Sequence, residues 1–130
     1  MRFINRRTLL LGSGLTFALS PAFAASVFAG IDTNNDGTID LDEAKAAASS
    51  VFDKLDANHD GTLDAKELRR RLTKGDLTQA DLDKDRTLSK DEYLAVVEKR
   101  FKDADVDHDG TLTPGELRSK SGRALLELLR

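Results

Sequence analysis

The stretch Asp32 to Glu43 reads DTNNDGTIDLDE, and its twelve-residue pattern returns three times: DANHDGTLDAKE from Asp56, DLDKDRTLSKDE from Asp81 and DVDHDGTLTPGE from Asp105. Each copy has Asp at position 1, Asn or Asp at 3, Asp at 5, Ile or Leu at 8 and Glu at 12. The copies start 24, 25 and 24 residues apart. One copy could arise by chance in an acidic sequence; four at a regular step could not. Oxygen-bearing side chains at alternate positions of a tight loop, closed by a carboxylate on the first turn of a helix, make a cage for a hard cation.

The pattern resembles the EF-hand calcium loop. In loop 1 the expected ligands are Asp32, Asn34 and Asp36, the carbonyl of Thr38, Asp40 directly or through water, and Glu43 with both oxygens. Loop 2 supplies Asp56, Asn58, Asp60, Thr62, Asp64 and Glu67; loop 4 supplies Asp105, Asp107, Asp109, Thr111, Thr113 and Glu116. Gly37, Gly61 and Gly110 at position 6 fit a turn with positive φ, which costs other residues roughly 1 kcal/mol or more. Loop 3 keeps its ligands as Asp81, Asp83, Asp85, Thr87, Ser89 and Glu92 but has Arg86 at position 6. A strained turn and a nearby cation make it the weakest expected site.

Charge placement agrees. Of 23 acidic residues, 18 lie within the four loops. So many like charges repel unless a cation neutralises them. An acidic solvated surface would not place Gly, an apolar residue and Glu at fixed offsets. Each loop carries four carboxylates at ligand positions, so a +2 ion leaves a formal −2 and a +3 ion leaves −1. Light lanthanides are as hard as calcium and similar in size, and higher charge strengthens every carboxylate contact. The chain has no Cys, which excludes disulfides and thiolate metal sites and points to alkaline-earth or rare-earth ions.

Residues 1–24 read as an export signal: basic Arg2, Arg6 and Arg7, a mostly apolar stretch from Leu9 to Leu19, and Ala22-Phe23-Ala24 as a cleavage signature. The apolar stretch is too short for a stable membrane anchor. Asn5-Arg6-Arg7-Thr8-Leu9-Leu10 resembles a twin-arginine signal. Cleavage leaves residues 25–130 as one metal-binding domain in the periplasm. Losing three arginines takes the formal net charge from −3 to −6, which argues against nucleic acid as a partner.

The expected fold is all-α: a compact helical bundle of four fused EF-hands with short inter-hand connections. Ala44, Ala47, Ala48, Val51, Phe52 and Leu55 recur at helical spacing, so one helix, Leu41 to Leu55 and roughly 22 Å long, joins loop 1 to loop 2. Tyr93, Val96, Val97, Phe101 and Ala104 do the same between loops 3 and 4. Loops joined by a straight helix cannot pair. The middle link differs: Leu68 and Leu72 start a stripe that Lys74-Gly75-Asp76 interrupts, with Gly75 as helix stop and Asp76 as the next N-cap. Loops 2 and 3 then meet at one end and loops 1 and 4 at the other, with Leu63 facing Leu88 and Ile39 facing Leu112. A helix continuing through Gly75 would instead pair loop 1 with 3 and 2 with 4. Phe28 and Ile31 lead into loop 1 from a short helix. Ser121 is a candidate cap for a final turn carrying Leu125, Leu126, Leu128 and Leu129, which would cover the bundle end.

The chain also resembles the lanmodulins, small periplasmic lanthanide-binding proteins of methylotrophic bacteria. The resemblance rests on the short connections, the export signal, Asp60-Gly61-Thr62-Leu63-Asp64-Ala65-Lys66-Glu67-Leu68, Lys90-Asp91-Glu92-Tyr93-Leu94-Ala95 and the tail from Ser121 to Arg130. It implies selective binding of trivalent rare-earth ions such as La or Nd, with compaction on binding. Two departures bear on selectivity: Thr33, Ala57, Leu82 and Val106 stand at position 2, where the best-known lanmodulin loops carry Pro, and Ser89 and Thr113 stand at an otherwise acidic position 9.

His59 and His108 at position 4 read as solvated, since oxygen ligands fill the cage. Arg69-Arg70-Arg71 reads as a solvated helix face and Tyr93 as core. The leading function is capture, buffering or delivery of lanthanide(III) ions, with a metal-receiving protein as a possible partner. The alternative is a Ca2+ sensor or buffer that presents a surface to a protein target. Catalysis has no support in the sequence: no nucleophile–base pair or phosphate-cradling loop is visible.

Overall fold

The strand Ile39–Asp40 (β1) runs directly into the fifteen-residue helix Leu41–Leu55 (α1), and the sequence explains both ends. Asp40 caps the helix by accepting from the Glu43 N–H while Glu43 reaches back to the Asp40 N–H, a reciprocal box that satisfies two orphan donors. At the far end the N–H of Asp56 donates to the Phe52 carbonyl, so the C-cap of α1 is already the first residue of loop 2. Between the caps, Ala44, Ala48, Val51 and Phe52 are buried on one stripe.

The computed structural model describes residues 28–68 and 71–130. The expected export signal, residues 1–24, lies outside the described residues, as do Arg69 and Arg70. After α1 come β2 (Thr62–Leu63), α2 (Lys74–Ala80), β3 (Leu88–Ser89), α3 (Lys90–Ala104), β4 (Thr111–Leu112), α4 (Pro114–Leu117) and α5 (Lys120–Leu129). The fold is all-α apart from these two-residue strands. None of the described helices is long and apolar enough to cross a membrane.

The strands pair as the link lengths require. β1 lies antiparallel to β4 with Ile39 opposite Leu112, and β2 lies antiparallel to β3 with Leu63 opposite Leu88. All four apolar residues are fully buried. Loops 1 and 4 therefore share one end and loops 2 and 3 the other. The alternative pairing, through a continuous middle helix, is excluded: residues 65–68 form turns, not a helix running on to residue 80.

The turn-back is built differently from the expectation. Gly75 and Asp76 lie inside α2, and Thr73 is its N-cap. Thr73 and Asp76 form a reciprocal box, with the Thr73 hydroxyl donating to Asp76 at 2.8 Å. Two satisfied donors outweigh the helix-stopping tendency of one glycine. Arg100, its side chain only 15% exposed, fastens this link: it donates to the Ala124 carbonyl at 2.6 Å and to Asp76 at 3.2 Å.

The tail also departs from the expectation. Its cap is Ser119, which accepts from the Gly122 N–H; Ser121 lies within the helix. α5 packs along α3 and α1, and Leu125, Leu126, Leu128 and Leu129 are all buried. Burying each stabilises the fold by roughly 1.5–3 kcal/mol relative to exposure. Tyr93 stacks edge-on against Phe52, ring centroids 5.7 Å apart, and its hydroxyl donates to the Leu128 carbonyl at 2.8 Å. Burial pushes the Tyr93 phenol up to about 12. Arg71, read as part of a solvated face, is half-buried and donates to the Arg130 carbonyl at 2.9 Å. Gly122 is obligatory for close packing: a Cβ there would meet the Glu116 carbonyl oxygen and lie 2.5 Å from the Leu117 Cα.

Candidate metal centres

All four loops share one hydrogen-bond frame. The position 1 carboxylate accepts from the N–H groups of positions 5 and 6: Asp32 from Asp36 and Gly37, Asp56 from Asp60 and Gly61, Asp81 from Asp85 and Arg86, Asp105 from Asp109 and Gly110. Position 3 accepts from the same position 5 N–H through Asn34, Asn58, Asp83 and Asp107. Each position 12 Glu spans the loop, accepting from the N–H of positions 2 and 9; Glu116, for instance, accepts from Val106 at 3.1 Å and Thr113 at 3.0 Å. Glu43, Glu67 and Glu92 do the same.

This frame turns oxygens inward. Carboxylate oxygens of Asp105, Asp107, Asp109 and Glu116 lie within 4.8 Å of one another, as do those of Asp32, Asp36 and Glu43, and those of Asp81, Asp83 and Asp85. In loop 2, Asp56, Asn58, Asp60 and Glu67 hold the same hydrogen-bond frame. A carboxylate has about four lone-pair sites and these hydrogen bonds use only some of them. The donor set is all oxygen and strongly anionic, which fits a hard cation and not a soft one.

Three structural roles were not read from the sequence. The Thr at position 7 is more than a carbonyl donor: its N–H and hydroxyl both donate to the Asp at position 5, as Thr111 does to Asp109 at 2.9 and 3.1 Å. Asp36, Asp60 and Asp109 are held below the usual carboxylate range mainly by the Thr amide, and Asp85 mainly by the Thr87 hydroxyl. Position 9 caps the turn that leaves the loop: Asp40, Ser89 and Thr113 are the N-caps of α1, α3 and α4, and Asp64 accepts from the Glu67 N–H. The mixture of Asp, Ser and Thr there, a departure from an acidic ligand pattern, is the ordinary preference of a cap. Position 4 is left-handed in every loop, at Asn35, His59, Lys84 and His108. Asn and His tolerate that region better than most residues, a signal the sequence did hold. Both histidines are exposed.

Loop 3 is the outlier, as its sequence implied. Arg86 adopts φ 70°, where the other loops use glycine at 81°, 83° and 84°. Its frame is nevertheless complete, and the Arg86 N–H donates to Asp81 at 2.7 Å. Where position 3 is acidic, its carboxyl is pushed up: Asp83 chiefly by a hydrogen bond shared with Asp81, and Asp107 by lost hydration and then by a hydrogen bond shared with Asp105.

No curated protein is similar enough to the chain to count as a match. The EF hand family pattern matches residues 23–45, 48–73 and 96–119, which contain loops 1, 2 and 4 and leave loop 3 between the matched stretches. Those stretches span more than half of the sequence, and with the shared loop frame and the paired strands they establish that the chain belongs to the EF-hand family.

Proposed function

We propose that this metal-binding EF-hand protein is exported to the periplasm and binds trivalent lanthanide ions there, for capture, buffering or delivery. The observation that carries the reading is the density of carboxylates: four at the ligand positions of each loop, gathered in loop 4 as Asp105, Asp107, Asp109 and Glu116 within 4.8 Å. An ion of higher charge gains more from each contact. The lanmodulin-like short connections and tail support the same reading. The ions are cargo; the side chains and the carbonyls of Thr38, Thr62, Thr87 and Thr111 would hold them. Binding would stabilise only the assembled loops, so metal affinity becomes folding free energy.

The calcium-sensor reading is favoured by one observation, the absence of Pro at position 2, where Leu82 and Val106 are instead strongly exposed. Circular dichroism of the chelated protein, titrated with buffered La3+ or Ca2+, separates the two. Helicity should be low without metal and rise with a fall in hydrodynamic radius, at lower free La3+ than free Ca2+. Equal midpoints would move the assignment to calcium, and a chelated chain already fully helical would remove the folding switch.

A further inference from the structure

The four ligand-position carboxylates of each loop are placed in two layouts. Loops 1 and 2 have Asn34 or Asn58 at position 3 and Asp40 or Asp64 at position 9; loops 3 and 4 have Asp83 or Asp107 at position 3 and Ser89 or Thr113 at position 9. Formal charge is equal, but its use is not. Asp40 accepts from the Glu43 N–H at 2.8 Å, and Asp64 accepts from the N–H groups of Lys66 and Glu67, both at 2.9 Å. One oxygen of each of those carboxylates is thus engaged at the start of the exit turn, whose N–H groups neutralise part of its charge, and Asp40 is not among the loop 1 carboxylates, Asp32, Asp36 and Glu43, that lie within 4.8 Å of one another. In loops 3 and 4 a neutral hydroxyl does that work, accepting from the Glu N–H at 3.2 Å. The fourth carboxylate stands instead at position 3, within 4.8 Å of those at positions 1 and 5.

Resting on the metal-binding reading above, we propose that Asp83 and Asp107 set the discrimination by ion charge, and that loops 3 and 4 prefer +3 over +2 ions more strongly than loops 1 and 2. Coulomb attraction falls with distance, so a carboxylate in the ring counts for more than one turned to a helix start. β1 pairs with β4 and β2 with β3, so each end of the molecule holds one loop of each layout. The molecule then has a selective and a permissive site at both ends.

The test compares equal charge losses at the two positions in the full mature chain. Asp83→Asn with Asp107→Asn copies the amide already present in loops 1 and 2. Asp40→Asn with Asp64→Asn removes the same charge while keeping a good cap. Chelator-buffered La3+ and Ca2+ midpoints are read by circular dichroism for each double variant. The position 3 pair should lower the La3+/Ca2+ preference by about tenfold, and the position 9 pair by less than about threefold. Equal losses from the two pairs would overturn the assignment. A wild-type chain that does not separate the ions overturns both this and the lanthanide reading; a selective wild type left unchanged by the position 3 pair overturns this one alone. Should either variant fail to fold, Asn34→Asp with Asn58→Asp gives the converse readout: selectivity should rise, and no rise would overturn the proposal.

Discussion

Loops 3 and 4 carry the same residues at positions 1, 3, 5, 7, 8 and 12 and a hydroxyl at 9, yet the family pattern covers only loop 4. The difference that bears on the turn is Arg86 against Gly110. In space the two loops close in the same way, with the position 6 N–H donating to the position 1 carboxylate at 2.7 Å in loop 3 and 3.0 Å in loop 4. The frame is therefore imposed by the ring of side-chain acceptors and by strand pairing, and glycine only lowers its cost. A second difference lies downstream. Loop 3 feeds the fifteen-residue α3, whereas loop 4 feeds the four-residue α4, braced from behind by Gly122.

The largest expected effect tests whether the loops are equivalent as sites. Glu92→Gln and Glu116→Gln each remove one charge while preserving the capping box, which accepts Gln as well as Glu. Each should weaken its own site by roughly 10- to 100-fold, as loss of a charge-assisted contact implies. Calorimetric titration should show one weakened site per variant; a variant that binds like wild type would show that its loop holds no ion. Next comes the downstream brace. Gly122→Ala forces a Cβ against the backbone of Glu116 and Leu117, an overpacking that costs about 1–3 kcal/mol. Thermal melting should register it, and affinity should fall at loop 4 and not at loop 3. Equal loss at both loops would mean that α5 acts on the whole domain and not on the loop 4 exit.

A smaller effect isolates the turn. Arg86→Gly relieves a left-handed Arg worth roughly 1 kcal/mol, so loop 3 should tighten by about fivefold. No change, or weakening, would show that Arg86 is not what separates the loops. The smallest effect is a control on the helix that joins them. Lys45 and Lys102 hold the Glu98 carboxylate down at about 2. A depressed carboxylate stabilises the fold above its unfolded value near 4.5, and this contribution is lost as pH falls from there through about 2. Glu98 is half-exposed and its ion pairs are screened, so Glu98→Ala should slightly flatten the acid limb of the melting curve and leave the loop 3 to loop 4 difference unchanged.

Much of this was legible in the sequence because the repeats constrain their own neighbours. The span of α1, Leu41–Leu55, could be read since both of its caps are loop residues, and the pairing of Ile39 with Leu112 followed from the rigidity of that span. Gly75 misled because it is a strong local signal with no view of the Thr73–Asp76 box around it. Ser119 and Ser121 are equally good caps by type; the chain uses Ser119, whose hydroxyl accepts from the Gly122 N–H. The cap role of position 9 was hidden because the ligand pattern and the cap pattern ask for overlapping residue types.

Tyr93 is the chain's single tyrosine, and there is no tryptophan. Its ring comes directly after Glu92, and its hydroxyl is tied to the last turn of α5. The strongest near-ultraviolet chromophore of the protein therefore sits at one address, beside loop 3 and against the C-terminal helix. Emission from that ring, or energy passed from it to a luminescent ion, reports on the atypical loop and on the docking of the tail with no label attached.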